Sequence, residues 1–422
     1  MKPISLYFQI HETLELNNYN IFDIGFSEKY FNIEKTKEIL RNKIDQSYIP
    51  MNTLLLKLIK ENKTNFNIAF SISGTTLDIF EKYFPEMIES FIELSKTGNV
   101  EFLAETYNHS LSSLFSKSEF EKQVVMHQKK IQLLFNQKPK VFRNSELLYS
   151  NEIGELVSSL GFKSILAQGI NSVLKFKSSN HLYHTELKND SINLLLGNKE
   201  LSLDIQNNFG DSSWDHYPLQ APTYVKWIKE SFNSGELVNI WLDYETFGFT
   251  HKKESGIFDF FEHVITNSID EGLEFTNPSK IIENHSTKGA IDIPTTISWS
   301  NTFDDAHSWI GNSMQKQSAA ELYELGSMIS ELDDSKLTQS FRELTNSQYF
   351  YNMCTHLDTT YSFHGNFSHH ENPYENYIYF MNILRDLASR IRVKYNLLLE
   401  KKGTTISSNE TSFEKLRTIA MK

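Results

Sequence analysis

The chain has 422 residues, a formal net charge of −12, 39% hydrophobic and 13% aromatic residues, and a single cysteine, Cys354. Acidity of this size disfavours nucleic acid and anionic membrane surfaces as partners, because both would be repelled. A lone cysteine excludes intrachain disulfides and any metal site built on several thiolates.

The length accommodates a barrel with an attached helical unit. The N-terminal run MKPISLYFQIH is interrupted by Gln9 and His11 and lacks a small-residue cleavage site. No signal peptide is therefore expected. No apolar stretch approaches a membrane span, so a soluble, cytoplasmic protein is the expectation.

In chain order, strands are predicted at Ile4–His11, Asn67–Gly74, Val100–Thr106, Val141–Leu148, Ser164–Gln168, Leu201–Gln206 and Leu237–Phe247. Apolar residues at three and four spacing predict helices over Thr76–Ser95, Ser118–Leu134 and Ala221–Asn233 between them. This alternation implies a parallel sheet with crossover helices. Strands spread over about 280 residues suit a barrel better than an open sheet. From His307 the pattern is helical, over His307–Leu332, Ser335–Leu357 and Pro373–Leu399. The expected division is a catalytic (β/α) barrel over 1–290, a helical domain walling the cleft over 291–402, and a flexible tail over 403–422. No glycine-rich phosphate loop occurs in the chain.

Polar residues gather at the C-terminal ends of the predicted strands, where barrel enzymes hold their sites. The first strand ends in His11; the third delivers Glu101, Glu105 and His109; the fourth delivers Glu146; the last delivers Asp243 and Glu245. In strand register Phe142, Asn144 and Glu146 share a face, as do Trp241, Asp243 and Glu245. Each carboxylate closes a face that begins apolar, which predicts burial and a raised pKa. Two carboxylates facing each other suit glycoside hydrolysis, one attacking carbon or activating water while the other protonates the leaving oxygen. A strand-end glutamate also occurs in structural salt bridges, here with Arg143, or in helix caps, so spacing alone leaves both readings open. His356, His364, His369 and His370 lie close together but without ligand spacing, and no metal is expected there. His251 follows the Asp243 strand, either at the pocket mouth or in a solvated loop.

The segments FRNSELLY (Phe142–Tyr149) and LDYETFG (Leu242–Gly248) resemble the α-amylase branch of glycoside hydrolase family 57. Supporting matches are NVEFLAETYNHSL (Asn99–Leu111), WDHYPL (Trp214–Leu219), SWIGNSMQ (Ser308–Gln315), FYNMCT (Phe350–Thr355) and NPYENYIYFMN (Asn372–Asn382). The resemblance implies an incomplete seven-stranded TIM-like barrel followed by a C-terminal helical bundle. It implies retaining cleavage of α-1,4-linked glucan or maltooligosaccharide, with Glu146 as nucleophile and Asp243 as general acid/base. No metal or organic cofactor is implied. It further suggests His11 and His109 as sugar contacts and Trp299 and Trp309 as cleft walls. Glu105, Trp241 and Glu245 join them as candidates for substrate binding.

The chain also departs from the family pattern. His11-Glu12-Thr13 stands where His-Gln-Pro is usual, and Ala104 and Asn108 stand where Gly and a second Tyr are common. Ser300-Asn301 replaces Ala-Asp, Asp304 takes the place of an Arg, and Phe249-Thr250-His251 replaces Glu-His-Gln. An Asp gained and an Arg lost near carboxylates would raise their pKa values and change which sugar hydroxyls are bound. The alternatives are a 4-α-glucanotransferase using the same mechanism and a non-catalytic glucan-binding homologue. A deacetylase-like barrel would need an Asp and paired His metal triad, which the sequence does not display. The sequence leaves the oligomeric state open.

Overall fold

The computed structural model describes residues 2–188, 190–299, 303–356 and 372–402. His364, His369, His370, Ser300, Asn301 and the 403–422 tail therefore lie outside the described residues. The strands are β1 (Lys2–Ile10), β2 (Ile68–Ile72), β3 (Val100–Phe102), β4 (Phe142–Arg143), β5 (Ser164–Gly169), β6 (Leu182–Glu186), β7 (Ser191–Asn198), β8 (Val238–Asp243) and β9 (Leu273–Phe275).

β1 is buried along almost its whole length and runs parallel to β2 on one side and β8 on the other. β9 pairs with its first residues, and β3 extends the sheet beyond β2. A second sheet has the order β4-β5-β7-β6, with only β6 antiparallel. Main-chain bonds join the two sheets at one seam, Ala104 N to Val141 O at 3.0 Å and Arg143 N to Ala104 O at 2.7 Å. At the other seam β7 faces β8 without a backbone ladder, and the Asn239 side chain donates to Leu196 O at 2.8 Å. Among the described residues, β1, β2, β3, β4, β5, β7 and β8 thus form an incomplete parallel (β/α) barrel.

The crossover helices follow local signals. Ser73 caps the helix Gly74–Tyr83, and Pro85 opens the next, Pro85–Lys96, so the predicted Thr76–Ser95 helix breaks at Phe84. Ser116 caps Lys117–Phe135, which stops where Asn136 turns left-handed at φ 53°.

The predicted strand Leu201–Gln206 is overturned. Its alternating Leu201, Leu203 and Ile205 mimic a half-buried strand, yet the segment coils into a helix (Lys199–Leu203) and a π-helical turn (Asp204–Asn208). Asn198 initiates this helix by accepting from Leu201 N at 3.1 Å. The barrel strand here is β7, whose SINLLLGN run reads as a strand buried on both faces. The predicted fourth and last strands are also shorter than expected, ending at Arg143 and Asp243.

C-terminal helices occupy His307–Ile310, Ser313–Glu331, Ser335–Leu344, Ser347–Tyr351 and Pro373–Lys401, so the predicted Ser335–Leu357 helix divides at Thr345-Asn346. Leu322, Phe341, Phe380 and Leu384 share one apolar cluster with Phe142, Ile165 and Leu194 of the second sheet. β1, β2, β8 and their covering helices pack in another. Among the described residues, no helix is long and apolar enough to cross a membrane.

One buried carboxyl is a stability liability. Glu343 is only 6% exposed, and burial raises its pKa to about 8, with Asp78 adding to the rise. Because its folded value lies above its unfolded one, ionisation weakens the fold as pH climbs from the ordinary carboxyl range toward 8. Glu343→Gln is neutral in both states. Its melting temperature should exceed wild type by several degrees at about pH 8 and match it at about pH 4, as read by thermal denaturation.

Candidate active site

A cleft opens at the C-terminal ends of the barrel strands, where His11, His109, Arg143, Glu146, Asp243 and Trp299 converge. The chain reaches Glu146 by an irregular route. β4 ends at Arg143, and a 3-10 turn over Ser145–Leu147 carries Glu146 at φ 55°, ψ 23° and Leu147 at φ 50°. Left-handed backbone costs a non-glycine residue on the order of 1 kcal/mol or more, so surrounding bonds must enforce it. Ser298 Oγ donates to Glu146 O at 2.6 Å, and Asn144 Nδ2 donates to Leu148 O at 2.9 Å. Glu146 therefore does not continue the strand face of Phe142 and Asn144. From the turn its side chain lines the cleft instead.

Glu146 is 5% exposed, and its carboxylate receives donors from beyond the barrel. Ser347 Oγ donates to Oε1 at 2.7 Å and Trp299 Nε1 to Oε2 at 2.8 Å. His109 Nε2 stands 3.5 Å from Oε1. The same nitrogen lies 3.4 Å from Arg143 Nη1, and it cannot both accept from Arg143 and donate to Glu146. Burial disfavours charge on His109, but Glu105 and Glu146 overcome this and hold its pKa above the usual value. That raised value favours the charged form, with Nε2–H donating toward Glu146. His109 Nδ1 donates to Glu105 Oε2 at 2.6 Å, and Glu105 also accepts from Ser71 Oγ at 2.8 Å. Although burial favours the neutral acid, His109 with His127 and Arg143 brings Glu105 down to about 2.

His11 stacks on His109 with ring centroids 4.0 Å apart. Burial, reinforced by the His109 charge, drops its pKa well below the usual value, so it is neutral. Asn346 Oδ1 already accepts from Gln348 N at 2.9 Å, which identifies that atom as oxygen. His11 Nε2–H therefore donates to Asn346 Oδ1 at 3.2 Å, and Nδ1 accepts from Ser73 Oγ at 2.8 Å.

Asp243 ends β8 opposite Gln9 of β1. Its Oδ2 accepts from Gln206 Nε2 at 3.1 Å. Burial raises its pKa to about 6 and Glu146 adds to this, against the pull of Arg143, His109 and Lys43. Gln206 arrives on the π-helical turn that replaced the predicted strand. His251 braces that turn: its Nε2–H lies 3.0 Å from both Ile205 O and Gln206 O. His251 is thus a buried strut, neither at the pocket mouth nor solvated. Arg143 Nε donates to Tyr7 OH at 3.0 Å.

The remaining candidates separate by depth. Glu245 lines the cleft, though from a 3-10 turn over Tyr244–Thr246 and not from the strand face of Trp241 and Asp243. Trp241 meets Tyr7 edge-on at 5.6 Å and, with Trp299, lines the recess on the far side of Asp243. Trp309 is 0% exposed and meets Trp299 at 6.0 Å, so it backs the cleft wall and does not form it. Glu105 is likewise fully buried behind His109. Asp304 forms an ion pair with Lys199 and does not line the cleft, so the expected rise in carboxyl pKa does not come from it. Ser347, Asn346 and Gln206 escaped sequence reasoning. They are ordinary polar residues without motif or spacing, and only the folded chain brings them to the carboxylates.

A (β/α) barrel that gathers two carboxylates, a charged histidine and an arginine at its strand ends has the build of a carbohydrate-active enzyme. The profile of glycosyl hydrolase family 57 matches residues 5–294, and the chain belongs to that family. It is 36% identical over 403 residues to a "Putative alpha-amylase" from Methanocaldococcus jannaschii, covering 92% of this chain and 85% of that protein. Its fold resembles a GH57-type branching enzyme from Pyrococcus horikoshii (TM-score 0.66, 14% identity, covering 96% of this chain and 92% of that one). It also resembles the α-amylase AmyC from Thermotoga maritima (TM-score 0.57, 11% identity, covering 94% and 96%).

Proposed function

We propose that the protein cleaves α-1,4-linked glucan with retention of configuration, using Glu146 as nucleophile and Asp243 as general acid/base. The observation that carries this reading is the contrast between two carboxylates in one cleft. Glu146 faces His109, whose pKa is raised, and accepts hydrogen bonds from Ser347 and Trp299. Asp243 has its pKa raised to about 6, first by burial and then by Glu146, which suits an acid that must give up a proton and later regain it.

A Glu146 oxygen attacks the anomeric carbon while the glycosidic C–O bond breaks and Asp243 protonates the departing oxygen. Asp243, now ionised, takes a proton from water; the water oxygen attacks the anomeric carbon and releases Glu146. A sugar hydroxyl in place of water would make the same enzyme a glucanotransferase. His11, His109, Trp241, Glu245 and Trp299 are proposed to contact the sugar, with Glu105 and Trp309 supporting them from behind. Trp299 and Ser347 belong to the 291–402 region, which supports its role as a cleft wall over the 1–290 catalytic unit.

Maltoheptaose incubation followed by proton NMR and chromatography tests the reading. The first product should be the α-anomer, with shorter oligosaccharides accumulating. Products longer than the substrate would mark transfer, and binding without new reducing ends would sink the catalytic reading.

A further inference from the structure

Two buried carboxyls at the side of the cleft share one cation. Lys43, 2% exposed, ends the helix Ile33–Lys43, and a π-helical turn (Ile44–Tyr48) follows it at once. That irregularity turns both Lys43 and Tyr48 toward Glu12, the residue after His11. Lys43 Nζ lies 2.8 Å and 2.9 Å from the two Glu12 oxygens but 3.3 Å from Glu245 Oε1. Tyr48 OH donates to Glu12 as well. Glu12 therefore receives three short donor contacts, while Glu245 receives the long third contact of the same ammonium. Two like charges so close cannot both be satisfied by a single cation in a dry site, and the less well served carboxyl keeps its proton.

We propose that Glu12 holds Lys43 more closely than Glu245 does and so leaves Glu245 a neutral carboxylic acid, which donates a hydrogen bond to a hydroxyl of the bound sugar. The inference rests on the reading of the cleft as a glucan site and goes further, by assigning the donor. Glu245 lines that cleft, two residues after Asp243. The charged groups acting on it are Lys43 from the helix, Glu12 from just beyond β1, and Asp243 from the end of β8. Burial raises its pKa and Glu12 and Asp243 add to the rise, while Lys43 and a hydrogen bond from its own backbone N–H oppose it. A folded value raised above the unfolded one means the acid persists toward neutrality and ionises as pH rises beyond it.

Two variants separate the causes. Glu245→Gln keeps a donor at every pH. Glu12→Gln removes the competing charge, so Lys43 pairs with Glu245 and ionises it. Binding of maltopentaose is measured by calorimetry in a Glu146→Gln background, which prevents turnover. Affinity should weaken several-fold as pH rises through neutrality. Adding Glu245→Gln should remove that part of the pH dependence, while adding Glu12→Gln should give the weak, alkaline-side affinity already in mild acid. Unchanged pH dependence in the Glu245→Gln protein would overturn the proposal.

Infrared difference titration of the ligand-free proteins reads the proton itself. Wild type minus Glu245→Gln should display a protonated-carboxyl C=O band that persists to neutral pH and is lost earlier in Glu12→Gln. Absence of that band at neutral pH also overturns the proposal. If the band is present and maltopentaose fails to bind, the sugar-donor proposal falls with the glucan reading, while the shared-cation assignment stands. A band with binding but no pH effect overturns the donor role alone.

Discussion

Glu146→Gln should lower turnover of maltooligosaccharides by about 10⁴-fold or more while leaving their binding within a few fold. The amide has the shape of the carboxylate, so contact with Ser347 and Trp299 survives in part, and the left-handed turn is held through the Glu146 carbonyl by Ser298. What disappears is the anionic oxygen able to bond to the anomeric carbon. Calorimetric affinity and circular dichroism should match wild type, which separates lost chemistry from lost folding. Turnover within about tenfold of wild type would remove Glu146 from the mechanism.

Asp243→Asn should behave differently, because its damage depends on the leaving group. Cleavage of maltooligosaccharide should fall by about 10²- to 10⁴-fold, since an alkoxide cannot depart without a proton. An aryl maltoside with an acidic phenol needs no such proton, and formation of its glycosyl-enzyme should be largely spared. Azide should then speed release from Glu146 by attacking without general-base help, giving a glycosyl azide.

The pH profile supplies an independent check. Asp243 is raised to about 6 by burial and the Glu146 charge, so the required acid is present below that value and lost above it. Wild-type kcat/KM on glucan should fall as pH rises through about 6, and this limb should vanish in Asp243→Asn. Equal slowing on glucan and aryl substrates, with the limb retained, would refute the acid/base role.

Much of the barrel was legible because burial writes strong patterns. β1, β2 and β5 are apolar runs ended by polar residues, and their positions follow the predicted ones closely. The error at Leu201–Gln206 has a specific cause. Period-two alternation describes a strand, but here Leu201 and Ile205 pack as a helix and π turn against Tyr224 and Phe209. Tyr224 OH donates to Leu201 O at 2.8 Å, a contact between segments far enough apart that local periodicity carries no trace of it. The backbone at Glu146 escaped for a related reason. FRNSELLY reads as a continuous strand, whereas its left-handed turn is enforced by Ser298, 152 positions away.

By itself the sequence determined the barrel class and the helical C-terminal region, since apolar runs and their spacing are local patterns, and it was the family-like motifs, not strand periodicity, that singled out Glu146 and Asp243. Only the tertiary structure decided how those carboxylates differ. Ser347, Trp299 and the charged His109 surround Glu146, while Gln206 and a desolvated site surround Asp243. It also decided that Asp304 pairs with Lys199 and that Lys43 sits closer to Glu12 than to Glu245. Proton affinity depends on charges and donors within a few ångströms, and in this chain most of those neighbours are remote in sequence.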